Sequence, residues 1–427
     1  METNQTPGMQ AERLEFFDYL RLLMVLFVLI FHSAASYGTI VGFWPFHDAH
    51  PTEVVDILMI LLDAFMMGIL FFIGGYFCLP SLRKRGGGRF LADKFRRLGI
   101  PWLLVIVFVL PVLDYAHYTA RSVEGGLEPR GYAAHWWLSM LRFARLDTGP
   151  MRMSEYLDMS EHFYQRYMWF LSLLLLFFVA SWLLYEAWEK WGRTPAQPAT
   201  GRAPSARSIR IALLAVGLLT VVLFAPIYWW VSPNPIKIVG SWFSLGNLIQ
   251  FQPAKLVFYA SYFGLGVYAY AKGWFTGGAD LGRPWAWGVA CLLLMVANML
   301  VARSIARFPA PSIGLHLAFV VLYPFWTLSF LGLFTAFAYR RWNRGTALSR
   351  DLAAHSYNLY LVHYVFVMTL PPLLGRWTGG PTLLKFGLVA LLTFLLSYGA
   401  SRYLLKPHPR LVAIGLVGVS ILLAVLT

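Results

Sequence analysis

Charge is what this chain has least of: 13% of its 427 residues are Asp, Glu, Lys or Arg, against 58% hydrophobic and 17% aromatic. A soluble domain cannot cover that much apolar surface, so the composition points to a bilayer. Cysteine is nearly absent. Cys78 and Cys291 both sit inside apolar stretches, which excludes a disulfide framework and leaves no Cys/His spacing for a metal. No internal repeat is visible, and no segment alternates apolar and polar residues as barrel strands do. The formal charge of +15 does not require nucleic acid as a partner, because the 35 Lys and Arg are spread over short segments between apolar runs, as membrane topology itself demands.

Crossing ~30 Å of hydrocarbon takes about 20 helical residues. Eleven runs are candidates: Leu20 to Tyr37, Val54 to Leu79, Leu98 to Ala116, Met168 to Trp188, Ile209 to Val231, Pro253 to Ala271, Trp285 to Ala302, Leu315 to Tyr339, His355 to Leu374, Leu383 to Leu404 and Leu411 to Leu426. The last is the shortest. Only helices or closed barrels satisfy the backbone inside lipid. The expected fold is therefore all-α, a polytopic transmembrane bundle of ten or eleven spans in one membrane domain over residues 1–427, with membrane lipid as its solvent.

With the N-terminus cytoplasmic, 23 of the 35 basic residues fall on the inner side, and the first outer loop, Gly38 to Glu53, has none. Val25 to Phe31 followed by small residues also has the look of a signal-peptide core, but Glu12, Glu15 and Asp18 spoil its basic flank and favour a retained span. Residues 117–166 form an outer loop long enough for short helices of its own. Residues 192–207, rich in Pro, Ala, Gly and Arg, read as a cytoplasmic linker.

The chemistry concentrates in the first span. Arg21 and His32 are eleven residues apart, about 16 Å of helical rise and close to whole turns, so both lie on one face. Asp18, three residues before Arg21, shares the stripe. An ionisable residue inside a membrane marks function by default, which singles out His32. A neutral imidazole there suits a general base. Asp56 and Asp63 share a face of the second span. His363, with Ser356 and Tyr360 on related faces, is a candidate to line the same cavity as His32. Seven basic residues stand between Arg83 and Arg97 beside the Gly86 to Gly88 turn, as suits either topology or the phosphates of a nucleotide-bearing ligand.

An Arg followed eleven residues on by a His in the first span, preceded by Asp18, resembles the signature of the acyltransferase-3 family of integral membrane acyltransferases. Four further segments agree in order: FFIGGYF at Phe71 to Phe77, KFRRLGIPW at Lys94 to Trp102, MWFLSLLLLF at Met168 to Phe177 and HSYNLYLVH at His355 to His363. The resemblance implies a multi-pass protein of the bacterial inner membrane. Its reaction would be O-acyl transfer, of an acetyl or succinyl group, from cytoplasmic acyl-CoA to a hydroxyl of an envelope glycan or lipid-linked sugar. His32 is then the catalytic base, with Asp18 and Arg21 beside it in the catalytic set. Arg21, Arg96 and Arg97 hold the donor, and Asp63, Trp169, Tyr360 and His363 line the substrate cavity, with no metal. The compact plan looks closest to the branch that succinylates periplasmic glucans. The chain departs from the family where many members carry a His and it has Tyr167, with His162 further upstream.

Two other classes share the many-span plan. A proton-coupled transporter would use Asp56, Asp63 and His32, but the inverted repeats it calls for are not visible. A lipid-linked-sugar glycosyltransferase would use Asp48 or Glu53 in the first outer loop.

Overall fold

A computed structural model describes residues 14–41, 44–151, 164–191, 204–235, 240–275, 281–308 and 310–427. His162 and nearly all of the expected 192–207 linker lie outside them; the last residues of that segment, from Ala206, already belong to a helix. Every apolar run is helical. The long helices are α1 (Glu15–Ala34), α2 (Glu53–Arg85), α3 (Gly87–Glu124), α5 (Arg166–Lys190), α6 (Ala206–Val231), α7 (Pro253–Ala271), α8 (Pro284–Arg307), α9 (Ile313–Arg341), α10 (Ala347–Gly375), α11 (Thr382–Leu405) and α12 (Pro409–Leu426). Ten of these, among the described residues, are long and apolar enough to cross a membrane. The exception is α7, which is packed in the bundle along α2 rather than turned to lipid.

Glycine sets that contact. A Cβ at Gly75 would overlap the Phe263 carbonyl, and one at Gly266 would overlap the Phe72 carbonyl, so α2 and α7 touch backbone to backbone. Small residues allow such close approach of helices in membranes. By contrast α12 stands at the edge, with only Ser420 buried.

The third run was expected to end at Ala116, but α3 continues to Glu124 and contains two π turns, Phe95–Gly99 and Val105–Val109. Each lies just before a proline, Pro101 and Pro111, which removes a helical N–H and clashes with the carbonyl four residues earlier. Those carbonyls belong to Arg97 and Val107. Both are taken by side chains: Tyr357 donates to Arg97 O at 2.8 Å and Trp136 Nε1 to Val107 O at 2.8 Å. The first of these bonds fastens the basic turn of α3 to α10.

The two ends of the bundle differ. At the end where α1 begins lie Glu15, Arg21, the basic run of α3 and Arg350, the basic end. The other end is capped by loop, sheet and a short helix. Within residues 35–52, Asp48 N donates to Ser36 O at 2.9 Å and Thr52 N to Tyr37 O at 2.9 Å. Asp48 forms a fully buried ion pair with Lys385, and Asp56 accepts from Thr39 N, Thr39 Oγ1 and Ile40 N. Beyond α3 follow α4 (Tyr132–Ala144) and three antiparallel strands, β1 (Gly149–Met151), β2 (Trp242–Leu245) and β3 (Ile249–Phe251), in that order. Phe243 pairs with Pro150 on one side and Phe251 on the other. Gln165 joins this cap to the bundle: its side-chain NH2 donates to Asn247 O and Leu248 O, and its Oε1 accepts from Trp102 and Ser172. His135 of α4 is buried beside Tyr115 and Tyr118, and burial, with Arg130 and Arg142 near, pushes its imidazole down to about 4.

Candidate functional site

α1 lies against α10, and the two run parallel, since Arg21 contacts Ser356 low in the pair and His32 contacts His363 high in it. His32 Nδ1 is 2.9 Å from His363 Nε2. His363 Nδ1 is in turn 2.7 Å from the Tyr360 carbonyl oxygen. A carbonyl only accepts, so His363 Nδ1 carries a hydrogen and, in the neutral ring, its Nε2 carries a lone pair. His32 must then donate from Nδ1, which leaves the lone pair of His32 at Nε2. The Tyr360 carbonyl thus sets the tautomer of His363 and, through it, that of His32. His363 is fully buried whereas His32 is only half-buried, so the second ring orients and the first is reachable.

Aromatic residues wall the pair. Trp44 from the capped-end loop stacks on His32 at 6.1 Å between ring centroids, held by its Nε1 donating to Ser36 Oγ at 3.0 Å. Tyr364 meets His32 edge to face, and Tyr167 meets His363 likewise at 5.2 Å. Tyr167 also stacks on Tyr364 at 4.6 Å and donates to Leu361 O at 2.7 Å. The position where many relatives of the family have a histidine is therefore packed against His363. The Tyr360 hydroxyl donates to the Tyr167 carbonyl, so its side chain holds α5 while its own carbonyl holds His363.

Toward the basic end, Arg21 donates from Nη2 to Asp18 Oδ1 at 2.9 Å and from Nε to Ser356 Oγ at 3.2 Å, with its side chain 40% exposed. Ser356 precedes Tyr357, the residue that grips the Arg97 carbonyl, so the first-span arginine and the basic turn of α3 meet at two neighbouring positions of α10. Arg97 pairs with Asp93 at 3.0 Å and is 67% exposed, Arg85 shares the same carboxylate, and Arg96 is exposed. Lys94 is drawn aside, over the Phe178 ring at 4.4 Å.

Of the residues singled out by sequence, the structure brings His32 and His363 into contact, joins Arg21 to Asp18 and to Ser356, and fastens the Arg97 carbonyl to Tyr357. Asp56 and Asp63 do not meet each other: Asp56 caps Thr39 and Ile40, and Asp63 pairs with Lys255 on α7. Trp169 stacks on Tyr259 at 5.6 Å and, among the described residues, makes no ring contact with either histidine. Asp48, weighed as a glycosyltransferase base, is locked to Lys385. Tyr167 and Trp44 were not among the site residues expected. The HSYNLYLVH segment and the residue after it held a clue to the first, since Tyr360, His363 and Tyr364 share an aromatic face at helical spacing.

No match was found among curated proteins or among solved structures. The model of the acyltransferase-3 family, described as an acyltransferase domain, matches residues 14–402, from the residue before α1 to the last turn of α11. That span takes in the histidine pair, the Arg21 contacts and the basic turn together, and this multi-pass membrane protein belongs to the acyltransferase-3 family.

Proposed function

We propose that the protein moves an acetyl or succinyl group from acyl-CoA, bound at a cytoplasmic basic end, to a hydroxyl of an envelope glycan or lipid-linked sugar in the inner membrane. The single observation that carries this reading is the hydrogen-bond chain Tyr360 O, His363, His32, which leaves the lone pair of the His32 ring at Nε2. In the reaction the acceptor hydroxyl gives its proton to that nitrogen as its oxygen attacks the thioester carbonyl. The new C–O bond forms, the C–S bond breaks, and the proton passes from His32 to the departing thiolate sulfur. His363 acts as a positioning residue, presenting His32 in one tautomer. Arg21, about 16 Å below on the same helix, supports a donor site whose anionic groups, the CoA phosphates or a succinyl carboxylate, pair with it and with Arg96 and Arg97. The long thin arm of CoA suits a site whose charged mouth and basic nitrogen are that far apart.

The decisive experiment measures acyl-CoA binding and single-turnover transfer on the same purified samples of His32→Gln. Loss of transfer by about 10² to 10⁴-fold, the usual size of a general-base contribution, with donor binding retained, is the expected result. Near-normal transfer by the folded variant would overturn the assignment.

A further inference from the structure

At the depth of the histidine pair stands a second polar group that the transfer step above does not use. Lys255, in the first turn of α7, pairs with Asp63 of α2; the lysine is 5% and the aspartate 25% exposed. One turn on, Tyr259 is 4% exposed, and its hydroxyl has no hydrogen-bond partner among the described residues. Lys255 and Tyr259, four residues apart, share one face of α7. The Tyr259 ring is stacked between Phe71 at 4.7 Å and Trp169 at 5.6 Å, and Trp169 meets Trp242 of β2 edge to face.

Packing alone does not account for this group. A largely buried ion pair is often no better for stability than apolar residues of the same volume, and an unpaired buried hydroxyl costs about 1–3 kcal/mol. A site with apolar walls and a few convergent polar atoms has instead the make-up of a ligand pocket. The side chains suit a hydroxyl-bearing ring: an indole face for its C–H surface, and a phenol, a carboxylate and an ammonium for its hydroxyls.

The group lies at the depth of the histidine pair. Phe27 of α1 meets Phe65 of α2 at 5.7 Å. From that contact His32 is five residues, about 7 Å, toward the capped end, and Asp63 is two residues, about 3 Å, the same way. The start of α5 ties the two together, because Tyr167 packs on His363 and Trp169, two residues later, stacks on Tyr259.

We propose that Trp169, Tyr259, Asp63 and Lys255 form the subsite that holds a saccharide ring of the acceptor, at the depth of the base that takes its proton. This rests on the acyl-transfer reading, and the test separates the two. Full-length protein in lipid nanodiscs is given radiolabelled short gluco-, galacto- and amino-sugar oligosaccharides, first without donor and then with acetyl-CoA and succinyl-CoA. Tyr259→Phe should weaken oligosaccharide binding and raise its KM by about three- to tenfold, the range of one neutral hydrogen bond. Asp63→Asn should do so by about 10- to 100-fold, as for a charged one. The KM for acyl-CoA should stay at the wild-type value for both. Equal shifts in both KM values, unchanged oligosaccharide binding by Tyr259→Phe, or no oligosaccharide binding by the wild type would overturn the subsite. Saccharide binding that Tyr259→Phe weakens, without transfer from either donor, would support the subsite and sink the transfer reading instead.

Discussion

The two ends of the bundle handle charge in opposite ways. At the basic end the arginines are exposed, 67% for Arg97, 58% for Arg350 and 40% for Arg21, while their carboxylate partners are 22–24% exposed. Toward the capped end the ion pairs are buried: Lys385 with Asp48 are each 1% exposed, and Arg166 with Asp114 are 4% and 12%. Exposed pairs contribute little and exchange partners cheaply, as the donor role proposed above for these arginines would require. Buried pairs are costly to break and fix a shape. One end is built for exchange, the other for permanence.

That contrast is broken most severely at Lys385. Lys385→Met strands the buried Asp48 carboxylate and should cost about 3–5 kcal/mol, read as a fall in the thermal unfolding midpoint in detergent. Adding Asp48→Leu should recover most of it, since paired apolar replacements are tolerated where single ones are not. A small loss in the single variant would mean that the capped end is as pliable as the other. Next in size is Arg21→Ala, expected to raise the KM for acyl-CoA by about 10- to 100-fold through a lost charged contact, with the same change smaller at the more exposed Arg97. An unaltered KM with a lower kcat would move Arg21 from donor binding into chemistry or folding.

Acid should sharpen the difference further. In the unfolded chain His135 takes a proton near its ordinary value of about 6.5, but in the folded protein only at about 4. Only the unfolded state gains the proton between those values, so the contribution of His135 to stability is intact above the first and is lost as pH falls toward the second. His135→Phe should flatten the acid limb of the stability profile; an unchanged limb would place the titration elsewhere. The smallest effect belongs to Arg350→Ala, whose 3.6 Å contact with Glu15 is exposed: under about 1 kcal/mol. Orientation is tested by cysteine scanning. Gly87 is unsuitable, because a Cβ there would strike Trp182 and Glu186, whereas Gly88 is exposed with nothing nearby. A cysteine at Gly88 should resist impermeant maleimide from outside intact cells, and ready labelling would reverse the sidedness.

The helices were legible because apolar run length is set by the bilayer and little else competes with it. Other features were hidden for particular reasons. Pro101 and Pro111 announce a disturbed helix, but whether it kinks or widens into a π turn depends on donors as distant as Tyr357 and as near as Trp136. The three short strands, three or four residues each, fall below any periodicity that a sequence displays. Within the candidate site, the Arg21 and His32 stripe was readable because it lies on one helix, and His363 because its helix carries a matching face. Asp56 and Asp63 looked like a pair for the same reason, yet about 10 Å of rise separates them, and partners on other elements claimed each one. Trp44 came from a loop, where spacing carries no geometric information.

The seam between α2 and α7 also bears on how the protein is made. Asp63 and Lys255 are 192 residues apart in the chain. At about 5–20 residues per second, roughly 10 to 40 s of synthesis pass before the lysine follows the aspartate. During that interval α2 rests in the bilayer with a carboxylate unneutralised and the groove at Gly75 open. When α7 emerges it is less apolar than its neighbours and carries a lysine of its own, so its entry is helped by the very partner that has been waiting. The contact that closes this seam therefore cannot form until more than half of the chain has been made.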